Sequence, residues 1–254
     1  SFGDASIFSF ELSKTLTAGW GGLVQINSKS LAAPLRKEQE SLDFLPRFTR
    51  AKRLIQTGLG YWLYNPTFLP FLKYLTYVMY KIKLFEKSGS NEETTNKLGK
   101  KVLDNPSDRT WDVVREQISR LDDITTAASR NSSKYIDTLE KIGWYSGIPS
   151  RQDAAAGLIR FPLLVKTPSQ LVNFFYARGI EIGRWFTAPI HPMPKNKAKY
   201  FYDSKSCPIS EKISRHIINL PIHQRLSDND VQEICHTIEK YATSYPDEVI
   251  KYPI

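Results

Sequence analysis

The segment at residues 7–27, IFSFELSKTLTAGWGGLVQIN, restricts the fold because it places a lysine between two short apolar stretches. Residues 5–10 and 22–27 are predicted strands, since both are short, apolar and bounded by Gly, Ser or Asn. Gly19, Gly21 and Gly22 precede the second strand and lower the steric cost of a tight backbone path. The segment therefore predicts two neighbouring strands with Lys14 in the bend that joins them.

Lys14 has a setting in which an amine can act as a nucleophile. Partial removal from water disfavours the charged form of a lysine, and its neutral amine can form a Schiff base with a carbonyl group. Ser9 and Ser13 offer hydroxyl groups to an anionic ligand, although a fully extended chain would separate residues 9 and 14 by about 17 Å. Both can reach one small ligand only if residues 10–14 curl. The spacing alone also fits a lysine with a structural role.

Length, charge and cysteine content limit the number of domains, the cellular setting and the kind of partner that are expected. The chain has 254 residues, enough for one large domain or two small ones, and an apolar fraction of 41%. Cys207 and Cys235 are too few for a disulfide framework, so a reducing, cytoplasmic setting is expected. The formal charge of +9 suits a phosphorylated small molecule or a membrane surface. No nucleic-acid-binding signature accompanies the charge, so nucleic acid is not an expected partner.

Residues 59–85, LGYWLYNPTFLPFLKYLTYVMYKIKLF, form an unusually aromatic segment. Asn65, Pro66, Pro70 and Lys73 interrupt it, so it lacks the roughly 20 consecutive apolar residues of a spanning helix. Two interpretations stay open. One is a helical insert that is buried or lies at a subunit interface; the other is a peripheral membrane element with aromatic side chains toward lipid and lysines toward head groups. Residues 86–108 are polar and predict a linker.

The rest of the chain alternates between helix and strand patterns. Residues 31–58 are predicted to be mostly helical, with Pro34 and Pro46 as interruptions, and apolar periodicity predicts a long helix over 110–142 that ends at Gly143. Further predicted strands are 157–166, 180–186 and 216–221; further predicted helices are 167–179, 210–215 and 228–243, with Thr167 and Ser227 at capping positions. These elements predict a compact α/β unit in the second half.

The opening segment resembles the lysine segment of the DegT/DnrJ/EryC1/StrS family of pyridoxal-phosphate-dependent sugar aminotransferases. That family has a Ser-Phe pair, a lysine five residues after the serine, a threonine-containing link and a Gly-Gly pair. The matching residues here are Ser9, Phe10, Lys14, Thr17, Gly21 and Gly22. Residues 207–234 are similar to the closing segment of the family, and APIHP at 188–192 and the helical stretch QISRLDDITTAASRNSSKYIDTL also fit. The resemblance covers nearly the whole chain.

The resemblance implies an α/β, fold-type-I transferase that uses pyridoxal 5′-phosphate. Lys14 would hold the cofactor covalently and move a proton between cofactor and substrate carbons, and Ser9 would hydrogen-bond the cofactor phosphate. His191, in the APIHP loop, is expected to line the sugar pocket. A lysine at position 14, where a few dehydratase relatives have histidine, favours transamination.

The same resemblance implies a division of the chain and a reaction. Residues 1–58 would end the large cofactor-binding domain, 59–108 would form an aromatic helical insert and linker, and 109–254 would form a long helix and the small α/β domain. The reaction would aminate a nucleotide-linked keto sugar with glutamate or glutamine as donor, for amino-sugar or polysaccharide biosynthesis. Active sites shared between two subunits imply a homodimer.

Two departures from the family pattern limit this inference. The Gly-x-Asn-x-Arg segment of the family, which lies ahead of the long helix, has no clean counterpart here. The aspartate that bonds the pyridine nitrogen in the family precedes the lysine, in a segment that this chain does not contain. The chain is therefore expected to be the later part of a larger enzyme. A catalytically inactive relative that binds a ligand, or a membrane-surface module, stays open as an alternative.

Two further patterns bear on binding. The cysteines and histidines lack zinc-type spacing, so no metal site is expected. A basic run predicts either a solvated helical face or a clamp for a sugar diphosphate or lipid phosphates. Its members are Arg36, Lys37, Arg47, Arg50, Lys52 and Arg53.

Overall fold

The computed structural model describes residues 3–11, 13–63, 68–82, 84–85, 105, 108–145, 148, 158–190, 202–203 and 205–251. The chain divides into two compact units, Ser1–Leu121 and Asp122–Ile254. His191 and most of the predicted linker at 86–108 lie outside the described residues.

The first unit begins with a two-stranded antiparallel ribbon. β1 (Ala5–Ser9) pairs with β2 (Gly22–Ile26), in a register that runs from Ala5 opposite Ile26 to Ser9 opposite Gly22. The strands predicted at 5–10 and 22–27 are thus confirmed. In the described part of this unit, the helices are α1 (Lys29–Glu40), α2 (Arg47–Leu63), α3 (Leu69–Lys81) and α4 (Asp108–Ser119).

The two prolines in the predicted helical stretch have different effects. Pro34 lies inside α1, so the predicted interruption there is wrong. Proline lacks an N–H, which leaves the carbonyl of Ser30 without its helical partner. No residue of α1 is buried, so water can satisfy that carbonyl. Pro46 directly precedes α2, at a helix start where the missing N–H has no intrahelical partner to lose.

The long helix predicted over 110–142 is two helices. α4 ends at Ser119 and α5 (Leu121–Lys141) begins after Arg120, whose N–H donates to the carbonyl of Gln117 at 3.2 Å. This hydrogen bond spans three residues rather than four, as in a 3₁₀ turn, so the α-helical hydrogen-bond pattern is interrupted there. Gly143 follows α5 with φ +68°, as expected for a glycine that ends a helix.

The second unit continues with short elements of both kinds. They are β3 (Phe161–Leu164), α6 (Pro168–Tyr176), α7 (Pro208–His216), β4 (Ile217–Leu220), α8 (Asp228–Ser244) and a 3₁₀ turn, Pro246–Glu248. β3 and β4 pair antiparallel, from Phe161 opposite Leu220 to Leu164 opposite Ile217. The predicted α/β unit in the second half of the chain is therefore present.

Side chains from α5, α6, α8 and the β3–β4 ribbon form the core of this unit. Tyr135, Phe161, Leu171, Ile218 and Ile238 are all fully buried there. The hydroxyl of Tyr135 donates to the carbonyl of Pro221 at 2.8 Å. Pairing of such a buried polar group avoids the cost of leaving it unsatisfied.

Residues 180–186 do not form the predicted strand. Gly183 exchanges two backbone hydrogen bonds with Asn219 of β4, at 2.9 and 2.8 Å. The N–H of Trp185 then donates to the side-chain Oδ1 of Asn219 at 2.7 Å. Because a side chain accepts the next bond in place of the β4 backbone, strand pairing ends after one residue.

Candidate functional site

Lys14 lies in the loop of residues 10–21 that joins β1 to β2. The N–H of Phe10 donates to the carbonyl of Gly21 at 2.9 Å, and the N–H of Ala18 donates to the carbonyl of Phe10 at 2.9 Å. The Phe10 side chain is buried, at 5% exposure. One anchored residue thus holds both ends of the loop.

The start of the loop is curled. The N–H of Lys14 donates to the carbonyl of Glu11 at 3.0 Å, a hydrogen bond of the kind that closes a β-turn. The path from Ser9 to Lys14 is therefore not extended, which is the condition for both side chains to reach one small ligand. Lys14 and Ser13 are half-buried, whereas Ser9 is exposed.

Gln117 of α4 fixes the far side of the loop. The N–H of Thr17 donates to Gln117 Oε1 at 2.8 Å, and Gln117 Nε2 donates to the carbonyl of Thr17. The Thr17 hydroxyl donates to the Phe10 carbonyl at 3.2 Å and accepts from the N–H of Gly19 at 3.0 Å. Sequence inspection did not identify Gln117, since a single polar residue on a helix surface, 100 residues away, gives no signal.

Close contacts require glycine at two positions, one in the loop and one at the start of β2. Gly19 has φ +82°, and a Cβ at this position would lie 2.2 Å from Oγ1 of Thr57 in α2. A Cβ at Gly22 would lie 2.7 Å from the carbonyl oxygen of Phe8 in the paired strand. Both distances are shorter than van der Waals contact, so larger side chains would displace the loop or the neighbouring backbone.

α2 also contacts the loop through Arg53, which lies over the ring of Trp20. The guanidinium carbon of Arg53 lies 4.6 Å from the centroid of the Trp20 ring, a distance typical of cation–π contacts. Within the predicted basic run, Lys52 and Arg53 are half-buried and Arg47 is exposed. Arg53 therefore contributes to positioning the loop.

Ser9 thus ends β1, and Ser13 and Lys14 lie in the loop that follows it. His191, the predicted sugar-pocket residue, lies outside the described residues. The amine of Lys14, the hydroxyl group of Ser13 in the loop and the hydroxyl group of Ser9 at the end of β1 are groups that can bind a small ligand with a carbonyl and an anionic group.

Several solved aminotransferase structures are similar to this chain in fold. One, from Brucella abortus, is a DegT DnrJ EryC1 StrS aminotransferase with a TM-score of 0.60 and 19% identity, covering 94% of this chain and 51% of that one. Helicobacter pylori PseC, an aminotransferase involved in the biosynthesis of pseudoaminic acid, has a TM-score of 0.62 and 17% identity, covering 96% and 54%. DesI, solved in the presence of its TDP-sugar product, has a TM-score of 0.62 and 16% identity, covering 97% and 52%.

The fold class predicted from the sequence, an α/β fold-type-I pyridoxal-phosphate-dependent transferase, is therefore confirmed. The model of the DegT/DnrJ/EryC1/StrS aminotransferase family matches residues 80–239, more than half of the chain. The chain belongs to this family. No match was found among curated proteins. The chain spans about half the length of the solved structures that it matches.

Proposed function

We propose that the protein carrying this chain transfers an amino group to a nucleotide-linked keto sugar, with pyridoxal 5′-phosphate as cofactor and glutamate or glutamine as donor. Family membership supports the aminotransferase class. The TDP-sugar product of DesI and the pseudoaminic acid pathway of PseC support the sugar substrate. The product would be an amino sugar for a polysaccharide or a related glycan.

The half-buried Lys14 in its curled, anchored loop is the observation that carries this proposal. Its Nζ would hold the cofactor and then move a proton between cofactor and substrate carbons. The Ser9 hydroxyl would donate to the cofactor phosphate, and His191 would line the sugar pocket. When bound, pyridoxal phosphate supplies the electron sink for the reaction, while the protein contributes binding and orientation.

The division of the chain is part of the same proposal. Residues 1–58 would end the large cofactor-binding domain, 59–108 would be an insert and linker, and 109–254 would hold the long helix and the small domain. The working enzyme would be a cytoplasmic homodimer with active sites between its subunits. Sedimentation velocity of the full-length protein, with and without cofactor, tests the dimer.

Borohydride reduction in the presence of pyridoxal phosphate, followed by peptide mapping, tests the role of Lys14 in the full-length protein. The cofactor mass is expected on the peptide that contains Lys14, and Lys14→Ala should abolish both the adduct and the visible absorbance. Lys29→Ala, at an exposed lysine at the start of α1, is the matched control and should keep both. An adduct that stays on another lysine in Lys14→Ala would refute the assignment. Ligand binding without any adduct would support the catalytically inactive relative instead.

Ser9→Ala tests the phosphate contact. Loss of one hydrogen bond to a charged group should weaken cofactor affinity by about 1–3 kcal/mol, measured by absorbance titration. Ser6→Ala is the control, because successive side chains of a strand point to opposite faces and Ser6 lies on the other face of β1. Equal affinities for the wild type and Ser9→Ala would show that Ser9 does not contact the phosphate.

A further inference from the structure

α2 presents an apolar face to solvent. Phe48, Ile55 and Trp62 are 75%, 59% and 78% exposed. They are seven residues apart, close to two helical turns, so they lie on one face of the helix. The polar Gln56, by contrast, is buried at 6% exposure. This is the reverse of an ordinary surface helix, whose apolar stripe faces the core.

α3 has an exposed aromatic stripe of its own. Phe71, Tyr74 and Tyr77 are 55%, 69% and 59% exposed, and their spacing of three residues places them on one side of the helix. Leu72, on another side, is buried. The exposed Lys81 follows the stripe, with Nζ 5.5 Å from the centroid of the Tyr77 ring. We call the six exposed apolar residues of α2 and α3 the aromatic surface.

The charge of the segment that contains the aromatic surface has a single sign. Residues 44–85 contain no Asp or Glu. They contain seven basic residues: Arg47, Arg50, Lys52, Arg53, Lys73, Lys81 and Lys83. Anionic lipid head groups attract such segments, and Trp and Tyr are favoured at the level of the head groups. Exposed aromatic side chains beside clustered Lys and Arg are typical of helices that lie in a membrane interface.

We propose that the aromatic surface docks on an anionic lipid bilayer, with Phe, Ile, Trp and Tyr side chains at head-group level and the exposed Arg47 and Lys81 against lipid phosphates. Among the described residues, no helix combines the length and apolar character needed to cross a bilayer, which fits an element that lies on the surface. A second copy of the chain is a poorer occupant, because it would bring two positively charged surfaces together. This proposal does not depend on the aminotransferase function.

Vesicle flotation with the full chain tests the proposal. The wild type should float with phosphatidylcholine vesicles that contain phosphatidylglycerol, and far less with phosphatidylcholine alone. The triple variant Phe48→Ser, Ile55→Ser, Trp62→Ser should partition at least about tenfold more weakly, because each substitution removes apolar area that the bilayer would bury. The control variant Tyr176→Ser, Ile209→Ser changes two residues of the second unit that are 67% and 68% exposed, and should float like the wild type.

A second pair of variants tests the charge. Lys81→Glu should weaken binding to the anionic vesicles about fivefold or more, as expected for a basic residue near a charged membrane. Lys240→Glu, at an exposed position of α8, makes the same charge change away from the aromatic surface and should have no effect. Circular dichroism should show that all variants are folded, since every substituted side chain is exposed.

Three outcomes would overturn the proposal. The first is absence of binding to anionic vesicles, and the second is equal binding of the wild type and the triple variant. The third is a wild type that does not bind vesicles but forms an oligomer that the triple variant cannot form. That result would assign the aromatic surface to a contact between subunits.

Discussion

The carboxylate of Glu248 accepts two hydrogen bonds from Thr167, one from the backbone N–H at 2.6 Å and one from the hydroxyl at 3.0 Å. Thr167 occupies the N-cap position of α6, but its own side chain makes no capping bond. The carboxylate lies where the helix dipole favours negative charge. A residue 81 positions later thus stabilises the start of α6.

Glu248→Ala should lower the free energy of unfolding of the second unit by about 1 kcal/mol, the usual cost of a lost helix cap. Urea denaturation followed by circular dichroism measures this change. Glu233→Ala, at an exposed acidic residue of α8, is the matched control and should have little effect. Equal losses in both variants would mean that the contact with Thr167 contributes nothing specific.

Gln117→Ala should loosen the lysine loop. The substitution removes the acceptor for the Thr17 N–H and the donor to its carbonyl, which should cost about 1–2 kcal/mol of loop stability. Hydrogen exchange of peptides that cover residues 10–21 should become faster. Glu116→Ala, one residue earlier and exposed, should leave exchange unchanged. Unaltered exchange in Gln117→Ala would show that the loop is held by other contacts.

Gly19→Ala should destabilise the first unit by at least about 1 kcal/mol, because the position needs a positive φ and Thr57 fills the space of a Cβ. Thermal unfolding measures the effect. Gly58→Ala is the opposite control, since Gly58 lies within α2 with open space around its Cβ position. Alanine there should stabilise the helix by about 0.5–1 kcal/mol. A neutral Gly19→Ala would contradict the close packing of the loop on α2.

The capping box of α8 should make stability depend on pH. Ser227 donates to Asp230 Oδ2 from its hydroxyl and its backbone N–H, both at 2.7 Å, and these bonds hold the pKa of Asp230 below its ordinary value. A carboxyl with a lowered pKa stabilises the fold above its ordinary pKa, and this contribution disappears as the pH falls through the folded-state pKa.

Ser227→Ala should therefore cost about 1 kcal/mol at pH 7 and progressively less as the pH falls below 4. Urea unfolding at several pH values measures this difference. Ser244→Ala, at the exposed other end of α8, should show no such trend. A cost that grows on acidification would show that the sign of the Asp230 contribution is wrong.

The sequence predicts correctly those strands and helix ends that depend on residues close together in the chain. The two opening strands were predicted because short apolar runs flank the glycine-rich loop, and the start of α8 because Ser227 and its acidic neighbours form an N-cap. Gly143 and Gly179, which both adopt positive φ, follow the ends of α5 and α6.

Contacts between distant residues decided what the sequence could not indicate. The side chain of Asn219 replaces a backbone partner of residues 180–186, so that apolar run is not a strand. Gln117 and Thr57 shape the lysine loop although neither is near it in sequence. At the site, Lys14 and Ser9 were selected by resemblance. The curl between them, which spacing alone left undecided, depends on the turn at Glu11.

The β1–β2 ribbon has a consequence for handling the chain. In the portion that the structure describes, no third strand lies beside either β1 or β2. Ile7 and Val24, which are 82% and 51% exposed, stand opposite each other across the ribbon. Free strand edges with an apolar pair are templates on which another molecule can add a strand. Concentrated solutions of the 254-residue chain should therefore aggregate through this ribbon. The substitution Ile7→Lys should reduce this aggregation.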